Sequence, residues 1–281
     1  MSFYKIKSFA KINLALNVIG KNSQLHKIET VVAQISLHDE ILIKRIKSRK
    51  HNISFSGEFG KKIPKHNTVS KLLNILEEKN LLKNKKFDIK IKKKVPLKSG
   101  LGGGSMNAAN ILKFFFEKRL ININHQELTT ISNLIGSDVI LGLSSPYLVL
   151  NSSCKVKSFF NCKKIHTLIV KPNFGCSTKK IYSKVRKYSK AKFKNPSKIV
   201  FDLSYLEKAS NDLEPVAISI YPKIKLIKKF LENLPKTVFV RMTGSGSALV
   251  AYFKTKENCD KAKKQFKKKY KNYWCIASKT I

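Results

Sequence analysis

Residues 100–104 read Gly-Leu-Gly-Gly-Gly. No regular element runs easily through such a stretch, because glycine gives up the most backbone freedom on folding and offers no side chain to pack. What stands on either side therefore sets the local fold. Before it, Phe87, Ile89 and Ile91 alternate with Asp88, Lys90 and Lys92, the period of a half-buried strand. After it, Ala108, Ile111, Leu112, Phe115 and Phe116 recur at helical spacing. The expected unit is strand, glycine loop, helix. A loop without Cβ atoms lets backbone N–H groups approach a phosphate closely, and a helix N-terminus adds unpaired donors and partial positive charge. Taken alone, the glycines fit a flexible loop equally well.

Two common phosphate loops are excluded. The Walker A motif ends Gly-Lys-Ser/Thr, and no lysine follows these glycines. The dinucleotide fingerprint needs an acidic residue about 20 positions on, and Ile121 to Asn124 carry none.

The 281 residues, 42% hydrophobic, suffice for a large core in one or two domains. Lys and Arg number 57 against 17 Asp and Glu, a formal net charge of +40, which raises the question of a nucleic-acid partner. A binding face would cluster basic and aromatic residues. Here lysine is spread along the whole chain with Asn and Ile, the mark of a compositional bias, so no nucleic-acid partner is expected. The field would still attract an anionic substrate. Cys154, Cys162, Cys176, Cys259 and Cys275 show no CxxC pairing, so no zinc site is expected and free thiols are. Lys11, Asn13 and Asn17 interrupt the N-terminal apolar run, and Val139 to Leu150 is too short to span a bilayer. A cytoplasmic protein without a membrane partner is the expectation, monomeric or homodimeric.

Along the chain, residues 4–19 read as a strand with Ile12, Leu14, Leu16 and Val18 on one face. Lys11, Asn13, Ala15 and Asn17 share the other, by spacing alone a solvent face. Glu29 to Ile35, Leu37 to Ile46 and His51 to Phe55 read as further strands. Asn67 caps a helix over Thr68 to Glu78 with Val69, Leu72, Leu73 and Leu76 inward. Residues 125–135 form a helix with Leu128, Ile131 and Leu134 as its stripe, and Asp138 follows in a turn or as a helix cap. Strands at Tyr147 to Leu150, His166 to Val170, Val238 onward and Trp274 to Ser278 alternate with helices over Ser177 to Val185, Ile224 to Leu231 and Asn258 to Phe266. Asn211 to Pro215 reads as a structural helix start.

The run Pro96-x-x-x-Gly100-Leu101-Gly102-Gly103-Gly104-Ser105-x-Asn107-Ala108-Ala109 resembles the phosphate loop of the GHMP small-molecule kinases. Three more segments are similar to that family's motifs in the same order: Ala10-Lys11-Ile12-Asn13, Gly136-Ser137-Asp138-Val139 and Thr243-Gly244-Ser245-Gly246-Ser247-Ala248. The resemblance implies an α+β, two-domain GHMP kinase fold, with an N-terminal α+β domain over 1–151 and a ferredoxin-like C-terminal domain over 152–281. It implies an ATP-dependent kinase acting on the hydroxyl of a small molecule, most similar to members with a cytidylylated alcohol as substrate. Asp138 is then the catalytic base, with Lys11 at the reacting hydroxyl, keeping the carboxyl ionised and offsetting charge on the transferred group. Pro96, Lys98, Gly100, Leu101, Gly102, Gly103, Gly104, Ser105 and Asn107 bind ATP phosphates, supported by Gly244, Ser245 and Gly246. Asn13, Leu25, His26 and Tyr182 bind the substrate. Leu25 stands where the family has an aromatic ring over the base, and Tyr182 is placed to supply one. Ser105 is the hydroxyl available to Mg²⁺; the family's second serine is Met106 here, a poor ligand for a hard cation, so no metal ligand set is assigned. Alternatives are a GHMP kinase for homoserine or mevalonate, a basic nucleic-acid-binding protein, and an inactive family member.

Overall fold

Strands β1 (Tyr4–Lys21) and β2 (His26–Ile46) run 18 and 21 residues, several times the usual 5–6. Each contributes to both of two compact units in this computed structural model, which describes residues 2–22, 26–61 and 63–281. The first unit comprises Met1–Ala10, Leu37–Leu97 and Gly102–Ser144; the second comprises Lys11–Ser36, Lys98–Leu101 and Ser145–Ile281. These units are built from several stretches of chain, because β1 and β2 each serve both. Glu29 to Ile46, expected as two strands, is continuous within β2.

The first unit adds β3 (Asn52–Ser56), α1 (Thr68–Glu78), β4 (Lys86–Lys92), α2 (Gly103–Glu117), α3 (His125–Ile135) and α4 (Val139–Leu143). β4 pairs antiparallel with Glu40–Ile46 of β2 and parallel with β3. That register sets Ile41 opposite Ile91 and Ile43 opposite Ile89. These four side chains face Leu72 and Leu76 of α1 and Leu112 and Phe115 of α2 in one core. Asn67 caps α1 as expected, in a capping box closed by Ser70. One stripe is corrected: in α3, Leu134 is 49% exposed and Ile135 is buried in its place. The buried set Leu128, Ile131 and Ile135 follows the 3.6-residue period more closely than a spacing of three.

The second unit adds β5 (Tyr147–Leu150), β6 (Val156–Phe159), β7 (His166–Lys171), α5 (Thr178–Ser183), α6 (Leu203–Lys208), α7 (Leu213–Ile220), α8 (Lys223–Glu232), β8 (Phe239–Met242), β9 (Leu249–Phe253), α9 (Lys256–Lys269) and β10 (Trp274–Lys279). Thr30–Ala33 of β2 pairs with β5, and β5 with β6, all antiparallel. The other sheet runs β10-β7-β9-β8 with every neighbour antiparallel. Strand, helices, two strands, helix, strand along the chain, with the strands in that sheet order, is the ferredoxin-like arrangement. Leu168, Val170, Leu249, Ala251 and Phe253 pack against Ile224, Ile227 and Leu231 of α8 and Phe266 of α9. The C-terminal residues stitch this unit to its own N-terminal strand. Thr280 bridges Ile35, Tyr147 donates its hydroxyl to Thr280 Oγ1 at 2.6 Å, and Ile281 N–H bonds Gln34 O at 3.1 Å.

All five cysteines are free thiols. Among the described residues, no helix is long and apolar enough to cross a membrane.

Candidate active site

Lys11, Asn13 and Asn17 do not form a solvent face: each is only 2% exposed. Polar groups taken from water need partners, and each has them. In the second unit, Lys11 Nζ donates to Asn13 Oδ1 at 2.7 Å, and Asn13 Nδ2 donates to Thr30 Oγ1 at 2.9 Å. The Thr30 hydroxyl passes on to Ala15 O at 2.6 Å. The backbone N–H of Asn13 donates to Thr243 Oγ1 at 2.9 Å. An ammonium is thus held by an oriented amide whose every neighbour is fixed.

Thr243 opens the turn that holds Gly244, Ser245 and Gly246. Gly244 and Gly246 take φ of +53° and +81°, a region that L side chains enter only at a cost. Asn211 Nδ2 braces the turn through Met242 O at 2.7 Å and Gly244 O at 2.8 Å. The structural segment 211–215 therefore positions this motif directly. Alongside, Ala248 N–H donates to Ser99 O at 3.1 Å, and Lys11 N–H to Leu101 O at 3.1 Å. Gly100, at φ +76°, lies so close to the Thr243 carbonyl that a Cβ there would overlap it. Glycine is required here by contact as well as by torsion. Lys98 is exposed and Ser245 Oγ lies 2.8 Å from Thr178 Oγ1.

In the first unit, Gly102 is the N-cap of α2 in the left-handed region, and no side chain caps the helix. Its first N–H groups have no partner within the helix, and the first backbone bond closing the turn is Met106 N–H to Gly102 O at 2.8 Å. Gly103, Gly104 and the half-buried Ser105 form that turn. Thr68 Oγ1 fixes it by donating to Gly104 O at 2.8 Å. Met106 is wholly buried, its sulfur 3.2 Å from where a Cβ on Gly142 of α4 would sit. Pro96 is buried as well.

Beneath the loop lies a carboxylate that sequence reasoning missed. Asp39 is fully buried and ion-paired with Lys93 Nζ. It also accepts from Lys94 N–H at 2.7 Å, Val95 N–H at 2.9 Å and Asn107 Nδ2 at 3.0 Å. One side chain thus clamps the strand that enters the loop to the helix that leaves it. Asn107 engages this clamp through its amide nitrogen. Asp138 stands half-buried at the N-cap position of α4, with no side-chain cap bond.

The substrate-side residues gather in the second unit. His26, first in β2, has its ring centroid 5.1 Å from Tyr182 of α5 and 6.4 Å from Tyr188, a residue not singled out from sequence. Burial, and then the charge of Lys21, push the His26 pKa down from 6.5, which favours a neutral imidazole with one donor and one acceptor. Leu25 lies outside the described residues. Among the described residues, no group of three or more His, Cys, Asp and Glu stands together to hold a metal.

The GHMP kinases N terminal domain matches residues 67–148, and the GHMP kinases C terminal domain matches residues 197–272. A 4-diphosphocytidyl-2-C-methyl-D-erythritol kinase of Pelagibacter ubique is 55% identical over 281 residues, covering all of both chains. A crystal structure of a 4-(cytidine 5'-diphospho)-2C-methyl-D-erythritol kinase superposes with a TM-score of 0.77 at 20% identity, over 99% of this chain and 100% of the other. A homoserine kinase from Cytophaga hutchinsonii reaches 0.72 at 16% identity, over 100% and 95%, a likeness of fold alone. An uncapped glycine helix start, a buried ammonium on an oriented amide and two matched domain models thus coincide with full-length similarity to one of these enzymes: the chain belongs to the GHMP kinases, within the family of the 4-diphosphocytidyl-2-C-methyl-D-erythritol kinases.

Proposed function

We propose that this ATP-dependent small-molecule kinase phosphorylates a hydroxyl of 4-diphosphocytidyl-2-C-methyl-D-erythritol, a step in non-mevalonate isoprenoid precursor synthesis. The observation that carries the assignment of chemistry is Lys11: an ammonium 2% exposed, held on Asn13 Oδ1 at 2.7 Å. A buried cation with so short a tether is suited to meeting charge that develops on a transferred phosphoryl group. The substrate hydroxyl oxygen bonds to the γ-phosphorus of ATP as the bond to ADP breaks, and Asp138 takes the hydroxyl proton. The N–H groups of Gly102 to Ser105 cradle the nucleotide phosphates, with Lys98 and the Gly244 turn supporting them. His26 reads the edge of the cytosine, and Tyr182 offers it a face.

Mg²⁺ would be held chiefly by the nucleotide phosphates, with Ser105 Oγ as the protein oxygen available to it. A hard cation neutralises phosphate charge, and the donor set fits that shared role rather than a dedicated cage. Residues 1–151 and 152–281 are the family's two domains. The protein works in the cytoplasm, as a monomer or homodimer, without a nucleic-acid partner.

ADP release measured with the cytidylylated alcohol, homoserine and mevalonate in parallel tests the substrate. Turnover with the first alone is expected; turnover with either of the others alone refutes the assignment. Asp138→Asn should lower kcat by at least ~10²-fold with ATP binding retained; unchanged kcat removes the base.

A further inference from the structure

Residues 184–197, between α5 and the 3₁₀ turn Lys198–Phe201, contain no helix or strand. Irregular stretches of that length in a compact domain are uncommon and tend to be functional. A buried acid is one of its main anchors. Glu29 is fully buried on β2. Its Oε1 accepts from Lys192 N–H at 2.5 Å and Asn17 Nδ2 at 2.9 Å, and its Oε2 accepts from Phe193 N–H at 3.0 Å. Further along, Ser189 N–H bonds Val18 O at 2.9 Å, and Phe193 is buried. The strap is therefore tied at both strands of the N-terminal hairpin.

What the strap carries is Tyr188, a residue 48% exposed whose ring sits beside His26. A large half-exposed aromatic is not kept in place by its own packing. Here the backbone N–H after it, on Ser189, is fixed to β1, and the strand that presents His26 also presents Glu29. Strap and histidine therefore share one scaffold.

We infer that Tyr188 is a specificity-determining residue, stacking on the planar base of the substrate beside His26, and that Glu29 is the positioning residue that holds it there. The inference rests on the proposed cytidylylated substrate. Base-on-aromatic stacking changes affinity by about 5- to 150-fold per base. Tyr188 contributes a face and no required polar group, so phenylalanine should serve.

The test uses calorimetric binding of cytidine 5'-diphosphate and steady-state kinetics on the full chain. Tyr188→Ala should weaken the diphosphate at least about fivefold and raise KM for the cytidylylated alcohol equally, leaving kcat and KM for ATP unchanged. Tyr188→Phe should restore both values. Glu29→Gln sets an amide N–H₂ against backbone donors and should raise the same KM without moving KM for ATP. Unaltered binding in Tyr188→Ala, with a wild type that binds and turns over normally, overturns the inference and leaves the proposed function standing. A wild type that neither binds cytidine 5'-diphosphate nor phosphorylates the alcohol overturns both. Equal losses toward ATP and alcohol would make the strap merely structural and also overturn it.

Discussion

Replacing Asp39 with asparagine should be among the most damaging single-atom-scale changes in the first unit. Oδ1 receives the N–H groups of Lys94 and Val95; Oδ2 receives Asn107 Nδ2 and the Lys93 ammonium. An amide can keep one oxygen. If it faces the two backbone donors, its N–H₂ group confronts the other two. Lys93, whose side chain is 1% exposed, then keeps a buried charge without its counter-ion. Removing one partner of a buried pair costs about 3–5 kcal/mol, a large share of the ~5–15 kcal/mol that holds a protein folded. Asp39→Asn/Lys93→Met removes both charges and should recover part of the loss, since apolar replacements of buried pairs are often near neutral. Urea unfolding of both single variants and the double gives the coupling directly. The same clamp sets the glycine loop, and displacing a positioned reactant by ~1 Å can cost 10²-fold in rate. kcat/KM for ATP should therefore fall even where the variant remains folded. Asp39→Asn within ~1 kcal/mol of wild type would refute the reasoning, as would a double variant as unstable as the two singles summed.

Gly100→Ala places a methyl group on the Thr243 carbonyl at a φ of +76°. The torsion alone costs about 1–2 kcal/mol. The loop must then shift, so a lower unfolding midpoint together with a raised KM for ATP is expected, and a neutral variant would refute the contact. His26 supplies a pH test. Its pKa lies below 6.5, so acidification half-protonates it only at a pH under that value. KM for the cytidylylated alcohol should rise on acidification with a midpoint below 6.5. A rise centred at or above 6.5 would show that another group is titrating.

The glycine loop, its helix and the Asn67 cap were readable because their signals are local. The four inward positions of α1 repeat every three or four residues within one window. The second face of β1 was not readable as buried. Lys11 and Asn13 look like solvent residues because the partners of Asn13, Thr30 and Thr243, lie 17 and 230 positions away. Asn17 likewise depends on Glu29, 12 positions on. Lys93 was hidden among Lys92 and Lys94. The signal was nonetheless present: Phe87, Ile89 and Ile91 point inward, and the same alternation puts residue 93 on their face. Extending the strand period into a charged run would have flagged it. β6 and α6 are too short to build a period of their own. Tyr188 stands in a segment with no element to place it, so only the fold brings it to His26.

The contacts of Thr280 and Ile281 with Ile35 and Gln34 bear on how the chain is made. The first unit has all its residues once Ser144 has left the ribosome. The second contains residues 11–36 yet lacks its closing contacts until Thr280 emerges. For most of translation, Lys11 and its strand therefore wait without the turn at Thr243 that fixes them. Catalytic competence becomes a late event in biosynthesis, and a nascent chain stalled in α9 would carry the helix start at Gly102–Ser105 without the closing contacts of the second unit.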